Sequence, residues 1–368
     1  KMFNYTSAKN QPKHVEKIQQ ILGEANIDRG ISVALQSLNP STLTAIKRWN
    51  KTSEETDKTI QKYKDNKLEC YVELILGLPN ESKDSWLQGI NHLLNNGFEN
   101  ALLIHPLSIV PNTPFANIDY QQEYSLSYTK TRSPAQGFCY GTESPEERET
   151  ICHSSSTMTT DDWVESYIYG KCIVGAQFYH GLSFFIAKYM HEKYSISVGS
   201  FYTALLEEYK KTNSFFNEEY IKISTTLKES LFDLRPWGRK IFGEDDMYWS
   251  DQAAAAMAYI NDTETFYKEL QSFIITKYPH VKSQELQDIC KFNKDALERP
   301  NIKYPYQTTY KYNWYSYFFN GDELKQEDQI ITVSGTNWES TKEHALQVYW
   351  YGRKSKRCFI KDIRKKND

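Results

Sequence analysis

Three stretches in the first third of the chain combine residue types that suit ligand chemistry. The first is Gln36-Ser37-Leu38-Asn39-Pro40, with Arg48 twelve residues beyond Gln36. The second is Glu73-Leu74-Ile75-Leu76-Gly77-Leu78-Pro79-Asn80-Glu81, which opens 37 residues after Gln36. The third is His105-Pro106-Leu107-Ser108-Ile109-Val110-Pro111-Asn112-Thr113-Pro114-Phe115. Gln36 offers a donor and an acceptor to a sugar or an amide. Glu73 stands among apolar strand residues, and a buried carboxylate needs hydroxyl or cationic partners. Arg48 offers a planar fork to a carboxylate. Gly77 lets a backbone approach closely, and Pro79 stiffens the turn. A ligand with a ribose, an amino group and a carboxylate would answer all of these groups.

The surrounding sequence explains how such groups are held. Ile31–Leu35, Leu68–Leu76 and Ala101–Ile104 are short apolar runs of the kind that form buried parallel strands. His14–Ala25, a helix opening at Asn39-Pro40-Ser41, Glu54–Asn66 and Glu81–Asn96 alternate with them, the last closed by Gly97. Strand–helix alternation predicts an α/β fold with a parallel sheet or barrel, whose ligands sit at the carboxyl ends of the strands. Residues 119–158 read as a polar, Tyr-rich linker or extension, containing one strand at Arg148–Ser154. Residues 159–368 read as a mainly helical α+β domain. Its helices fall at 163–194, 198–211, 217–232 and 251–278, with aromatic antiparallel strands over 303–348 and a solvated basic tail from Arg353.

Composition removes several classes. With 368 residues, 39% hydrophobic and 25% charged, the chain is neither disordered nor fibrous. A net charge of −3 offers no basic surface for nucleic acid. The most apolar run, 172–190, is interrupted by Gln177, His180 and Lys188 and reads as a buried helix rather than a membrane span. No two of the six cysteines lie closer than 13 residues, so no compact zinc or iron–sulfur motif is encoded. For a chain of this size, reduced thiols and a cytoplasmic location are the expectation.

Together the QSLNP strand–helix with its arginine, the ELILGLPNE turn and the PLSIVPNTPF loop resemble the later half of a radical S-adenosylmethionine enzyme. The cobalamin-binding radical SAM family is the nearest match, and the oxygen-independent coproporphyrinogen oxidase group is also similar. The resemblance spans roughly residues 1–118, including Tyr5–Asn10 as a preceding strand end, with a looser echo at Ser155–Trp163. It implies the later part of a partial (β/α) barrel over 1–118. S-adenosylmethionine would be bound by Gln36 at the ribose, Arg48 at the carboxylate and Glu73 at the ribose or substrate, with Ser37 also among the cofactor-binding residues. Gly77 through Glu81, and the backbone flanking His105, would lie along the adenine. A [4Fe–4S] cluster is implied, with cobalamin as a second candidate cofactor for methyl transfer or rearrangement on a small molecule or peptide. The family's C-x3-C-x2-C motif is nowhere in the sequence. The cluster ligands and the cobalamin domain are therefore expected on a missing N-terminal segment or a complementing subunit.

Plainer readings stand beside these. Gln36-Ser37 could cap the next helix, Glu73 could pair with a lysine, and Arg48 could be a surface residue. His105 is either a substrate contact or a satisfied core histidine. Cys70 packs as a small apolar residue, and Trp163, Tyr167 and Tyr169 either cover the barrel mouth or belong to a helix core. A non-catalytic scaffold with an aromatic partner-binding domain is the alternative function, and a cluster-free barrel enzyme for a nucleotide-like ligand is a third.

Overall fold

In the computed structural model, residues 12–25, 30–49, 52–66, 68, 70–134, 147–211, 213–244, 246–351 and 362–365 are described. Tyr5–Asn10, Cys139 and Cys358 lie outside them. The chain divides into two units, one built mainly from 1–172 and 221–254, the other from 173–220 and 255–353.

In the first unit, α1 (Pro12–Glu24), β1 (Ile31–Gln36), α2 (Pro40–Ala45), α3 (Ser53–Asp65), β2 (Cys70–Leu76), α4 (Lys83–Asn95) and β3 (Leu102–Pro106) follow the expected alternation. The strands form a parallel sheet in the order β1-β2-β3. Local chemistry sets the helix starts. Asn39 caps α2 ahead of Pro40, and Thr52 with Glu55 closes a reciprocal capping box on α3. Ser82 and Ser85 do the same for α4, and Gly97 ends that segment at φ +75°.

The two faces of the sheet differ. Val33, Val72, Leu74, Leu76, Leu102 and Ile104 form a sealed face. A side chain at Gly170 would come within 2.4 Å of Ile104 and 3.3 Å of Ile90, so a helical backbone lies directly on this side. The opposite face is buried at its start, at Ser32 and Tyr71, and opens toward the carboxyl ends, where Ala34, Glu73, Ile75 and Leu103 are half-buried and His105 is exposed.

The linker reading of 119–145 needs correction. α5 (Ile118–Glu123) and β4 (Ser127–Arg132) are regular, and β4 pairs antiparallel with β5 (Arg148–Ser154). This hairpin is tied to the loop after β3, where Cys152 donates its N–H to Leu107 O at 2.9 Å and Ile109 donates to Thr150 O at 2.7 Å. β4 is Ser-Tyr-Thr-Lys-Thr-Arg, with only Thr131 fully buried, so it lacks the apolar alternation by which strands are recognised. α6 (Thr160–Tyr167) opens on the capping box of Thr159 and Asp162 and continues as π-helical turns over Ile168–Tyr179.

The second unit contains α7 (Phe184–Tyr194), α8 (Val198–Tyr209), α11 (Thr263–Lys277) and α12 (Ser283–Asp295); α9 (Phe215–Leu231) and α10 (Asp251–Asn261) each bridge the division in sequence. The single helix expected over 251–278 is thus two, separated at Asp262, which caps α11. β6 (Tyr306–Tyr312) and β7 (Gln326–Ser334) are antiparallel, as expected. The basic tail is not simply a solvated end: β8 (Asp362–Lys365) pairs with β7. The aromatic richness is core here, with Tyr310, Trp314, Tyr209 and Phe292 all buried and Tyr209 stacked on Phe216 at 4.8 Å. No described helix is long and apolar enough to cross a membrane.

Candidate functional site

The carboxyl ends of β1 and β2 carry the most distorted backbone of the sheet. Gln36 adopts φ +65°, and Ser37 donates its N–H to Leu35 O at 2.9 Å, closing a tight three-residue turn around it. The β1–β2 register slips there: Ala34 faces Glu73 while Gln36 faces Leu74, one residue early. Such a bulge re-aims a side chain, and a left-handed non-glycine residue costs about 1–3 kcal/mol. The Gln36 side chain is half-buried and has no hydrogen-bond partner among the described residues.

The turn is held by a network that local sequence only hinted at. Ser37 Oγ donates to the buried Glu81 carboxylate, which also accepts from Ser85 Oγ. Ser37 Oγ accepts the Asn39 N–H at 3.0 Å, and Asn39 Nδ2 donates to Asn80 O at 3.1 Å. Thr157 Oγ1 adds a 2.8 Å bond to Glu81 O. Burial pushes the Glu81 carboxyl above its ordinary range, opposed by the hydrogen bonds from Ser37, Ser85 and Asn39. Ser37 and Glu81 thus turn toward each other and join the β1–α2 turn to the Gly77–Glu81 turn. The plain helix-cap role falls to Asn39 rather than to Gln36 or Ser37.

Arg48 was expected to offer its fork to a carboxylate; instead its Nη2 donates to Ala34 O at 2.5 Å, at the start of the bulge. Burial lowers its pKa. Glu73 was expected to be buried. It is half-buried on the open face, in register with Ala34 and Leu103, and has no hydrogen bond or ion pair among the described residues, so the lysine pairing is not formed. His105 is exposed on the same face, beside Ile75, which removes the core-histidine reading. Gly77 sits at φ +95°, and a Cβ there would come within 3.0 Å of both Cys152 O and Trp163 Nε1. The close approach that Gly77 permits is therefore made by the protein itself. Trp163 is fully buried and stacks on Tyr167 at 5.5 Å, while Tyr169 Oη donates to Asn91 on α4, so these aromatics belong to the helical layer.

Cys70 is buried as a small apolar residue in β2. Cys152 is buried as well, and burial pushes its thiol up to about 11, away from the thiolate a metal needs. Among the described residues no three His, Cys, Asp or Glu side chains gather to hold a metal ion.

No family model matches the chain. Two curated proteins do. The cobalamin-dependent radical SAM methyltransferase TokK of Streptomyces tokunonensis is 25% identical over 339 residues, covering 85% of this chain and 48% of that protein. By sequence the chain resembles the cobalamin-dependent radical SAM methyltransferases. The 2-(S-pantetheinyl)-carbapenam-3-carboxylate methyltransferase of Streptantibioticus cattleyicolor is 24% identical over 362 residues, covering 91% of the chain and 52% of that protein. The radical SAM resemblance thus reaches well past residue 118, into the aromatic unit. The chain spans about half the length of these relatives. Solved structures of the radical S-adenosylmethionine methyltransferase TsrM from Kitasatospora setae align at TM-scores of 0.31 and 0.30 with 13% identity, covering 45% and 62% of this chain and 34% and 44% of those chains. A likeness that faint adds nothing to the fold described above.

Proposed function

We propose that the chain supplies the later barrel strands and the C-terminal region of a cobalamin-dependent radical SAM enzyme, and that S-adenosylmethionine binds at the carboxyl ends of β1 and β2. The observation that carries this reading is Gln36, held in a strained left-handed turn with its amide unanswered, beside an unanswered Glu73. Evolution retains strain of this kind where a ligand uses it.

The donor set decides what this chain can hold. A [4Fe–4S] cluster needs closely placed thiolates. The described cysteines, Cys70, Cys152, Cys172 and Cys290, are dispersed in sequence and buried, and the three-cysteine motif is missing from the sequence. The cluster does not fit these residues, so its ligands, and the cobalamin site, are assigned to a missing segment or complementing subunit. S-adenosylmethionine does fit. Gln36 would donate to and accept from the ribose, and Glu73 would accept from a ribose hydroxyl or from substrate. Arg48 and the Ser37–Glu81 pair act one step back, holding the bulge rather than touching the ligand. His105 closes the open face on the β3 side. When bound, S-adenosylmethionine supplies the group that the radical chemistry transfers or activates. The cytoplasm, with its reduced thiols, suits the free cysteines. The substrate is a small molecule or a peptide.

Calorimetric titration of S-adenosylmethionine into the wild-type chain, Gln36→Ala and Glu73→Ala tests the site. Each variant should weaken binding about tenfold, the worth of one hydrogen bond to a charged or strongly polar partner. Equal affinity in all three proteins would sink the assignment. Anaerobic reconstitution should leave iron far below the roughly four atoms per chain of a filled cluster.

A further inference from the structure

The second unit holds a cavity that the site above does not use. It measures about 490 Å³, is lined by α11, α12, Arg299 and β6, and is within the size range of small-molecule sites. Four cations line it, Lys268, Lys291, Lys294 and Arg299, against two carboxylates, Glu264 and Asp295.

The carboxylates are already committed. Asp295 is buried and accepts from Tyr306 Oη at 3.0 Å, Tyr310 Oη at 3.0 Å, Thr308 Oγ1 at 3.3 Å and Arg299 Nη2 at 3.3 Å, with Lys291 Nζ at 3.5 Å. Glu264, largely exposed, pairs with Lys294 at 2.7 Å. The cations are not all answered. Lys268 has no ion pair or hydrogen bond among the described residues. The Arg299 side chain is only 11% exposed: its Nη2 is committed to Asp295, and its Nε, without an acceptor among the described residues, is sealed from solvent. Lys291 is fixed over the Tyr310 ring, 4.3 Å from its centroid, and donates to Thr309 O at 3.1 Å. Its ammonium shares the one Asp295 carboxylate with Arg299, so that trio keeps a single excess positive charge.

Four positive charges against two negative leave an excess of two on the wall of one cavity. A single carboxylate would cancel half of that excess, whereas a phosphate monoester carries close to two negative charges at neutral pH. Lysine point charges beside a guanidinium fork are also the usual donors to phosphoryl oxygens. The cavity is larger than the phosphoryl group alone requires. We propose that it binds a phosphoryl group, free or carried on a small organic molecule, with the exposed Lys268 ammonium as a further donor to it.

Calorimetry at low ionic strength with glycerol 3-phosphate, inorganic phosphate and glycerol as probes tests this on the full chain. Saturable binding at one site per chain is expected for glycerol 3-phosphate, with none for glycerol. Lys268→Gln, an exposed position whose melting temperature should not move, should weaken binding about tenfold, and Lys268→Arg should restore it. Tighter binding of the ester than of inorganic phosphate identifies a monoester as the ligand, and equal binding identifies free phosphate. Absence of saturable heat for both anions, several sites per chain, or unchanged affinity in Lys268→Gln would overturn the proposal.

Discussion

The open end of the parallel sheet and the aromatic interior of the second unit use polar side chains in opposite ways. In the aromatic unit, Asn293 spends its whole amide on protein: Nδ2 donates to Gly181 O and Leu182 O at 2.9 Å, and Oδ1 accepts the Phe185 N–H at 2.9 Å. Asp288 likewise accepts from the N–H groups of Lys311 and Tyr312 and from Trp314 Nε1. At the sheet end, the Gln36 amide and the Glu73 carboxylate have no partner among the described residues. A saturated polar group fixes the fold, because removing it strands its partners in a medium where they are costly to leave unpaired. An unanswered group beside strained backbone does nothing to hold the fold, which is why the site proposed above is placed there. The difference separates residues that hold the structure from those proposed to serve a ligand.

The sharpest way to break this contrast is Asn293→Ala. It removes the acceptor of the buried Phe185 N–H and the amide donor to Gly181 O and Leu182 O, of which Leu182 O keeps Tyr267 Oη at 2.8 Å, and should cost about 3 kcal/mol in urea unfolding. S-adenosylmethionine affinity measured well below the unfolding midpoint should not change. A loss below about 1 kcal/mol would show that saturation is not what holds this core. Gly77→Ala ranks next. It forces φ +95° on a residue with a Cβ and presses that atom to 3.0 Å from Cys152 O and Trp163 Nε1. The cost should be about 2 kcal/mol. Unlike Asn293→Ala, it should also weaken S-adenosylmethionine binding, because the Gly77–Glu81 turn supports the site.

Much of this contrast was legible in the sequence, and the remainder failed for identifiable reasons. The strands over 31–36, 70–76 and 102–106 were readable because continuous apolar runs are bounded by Gly and Pro, and the helices because their caps are encoded within three residues. Gln36 and Glu73 stood out as polar residues at apolar strand ends. What escaped was long-range. No local signal says that Ser37 will meet Glu81, 44 residues away, or that Arg48 will bond to the Ala34 carbonyl. Both residues attracted attention for their chemistry, and the fold spends that chemistry on support. β4 escaped because an edge strand exposed to solvent needs no apolar alternation. Gly77 was singled out for the right property, close approach, but the approaching group is a tryptophan.

Glu81→Gln separates support from ligand contact at a smaller cost. Burial raises the Glu81 carboxyl above its ordinary value of 4.5, so the folded state holds that proton more tightly than the unfolded state. The stability lent by the protonated form is complete below 4.5 and is lost as pH rises through the raised folded value. Glutamine mimics the protonated acid. Stability of the wild type relative to Glu81→Gln should therefore fall across that window and stay level above it. A difference independent of pH would show that the carboxylate is not strained by burial.

Gln36→Gly carries the smallest energy and the most information. Glycine accepts φ +65° without the steric penalty that Gln36 pays. Relief of that strain exceeds the entropy that glycine adds to the unfolded chain. The variant should gain up to about 1 kcal/mol in urea unfolding while S-adenosylmethionine affinity drops about tenfold. A core residue such as Asn293 cannot behave this way, since its removal lowers stability. If Gln36→Gly instead destabilised the protein, Gln36 would be another supporting residue, and the sheet end would differ from the aromatic core only in its exposure. A gain in stability paired with a loss of binding would mean that the fold sustains this turn at its own expense, for a ligand.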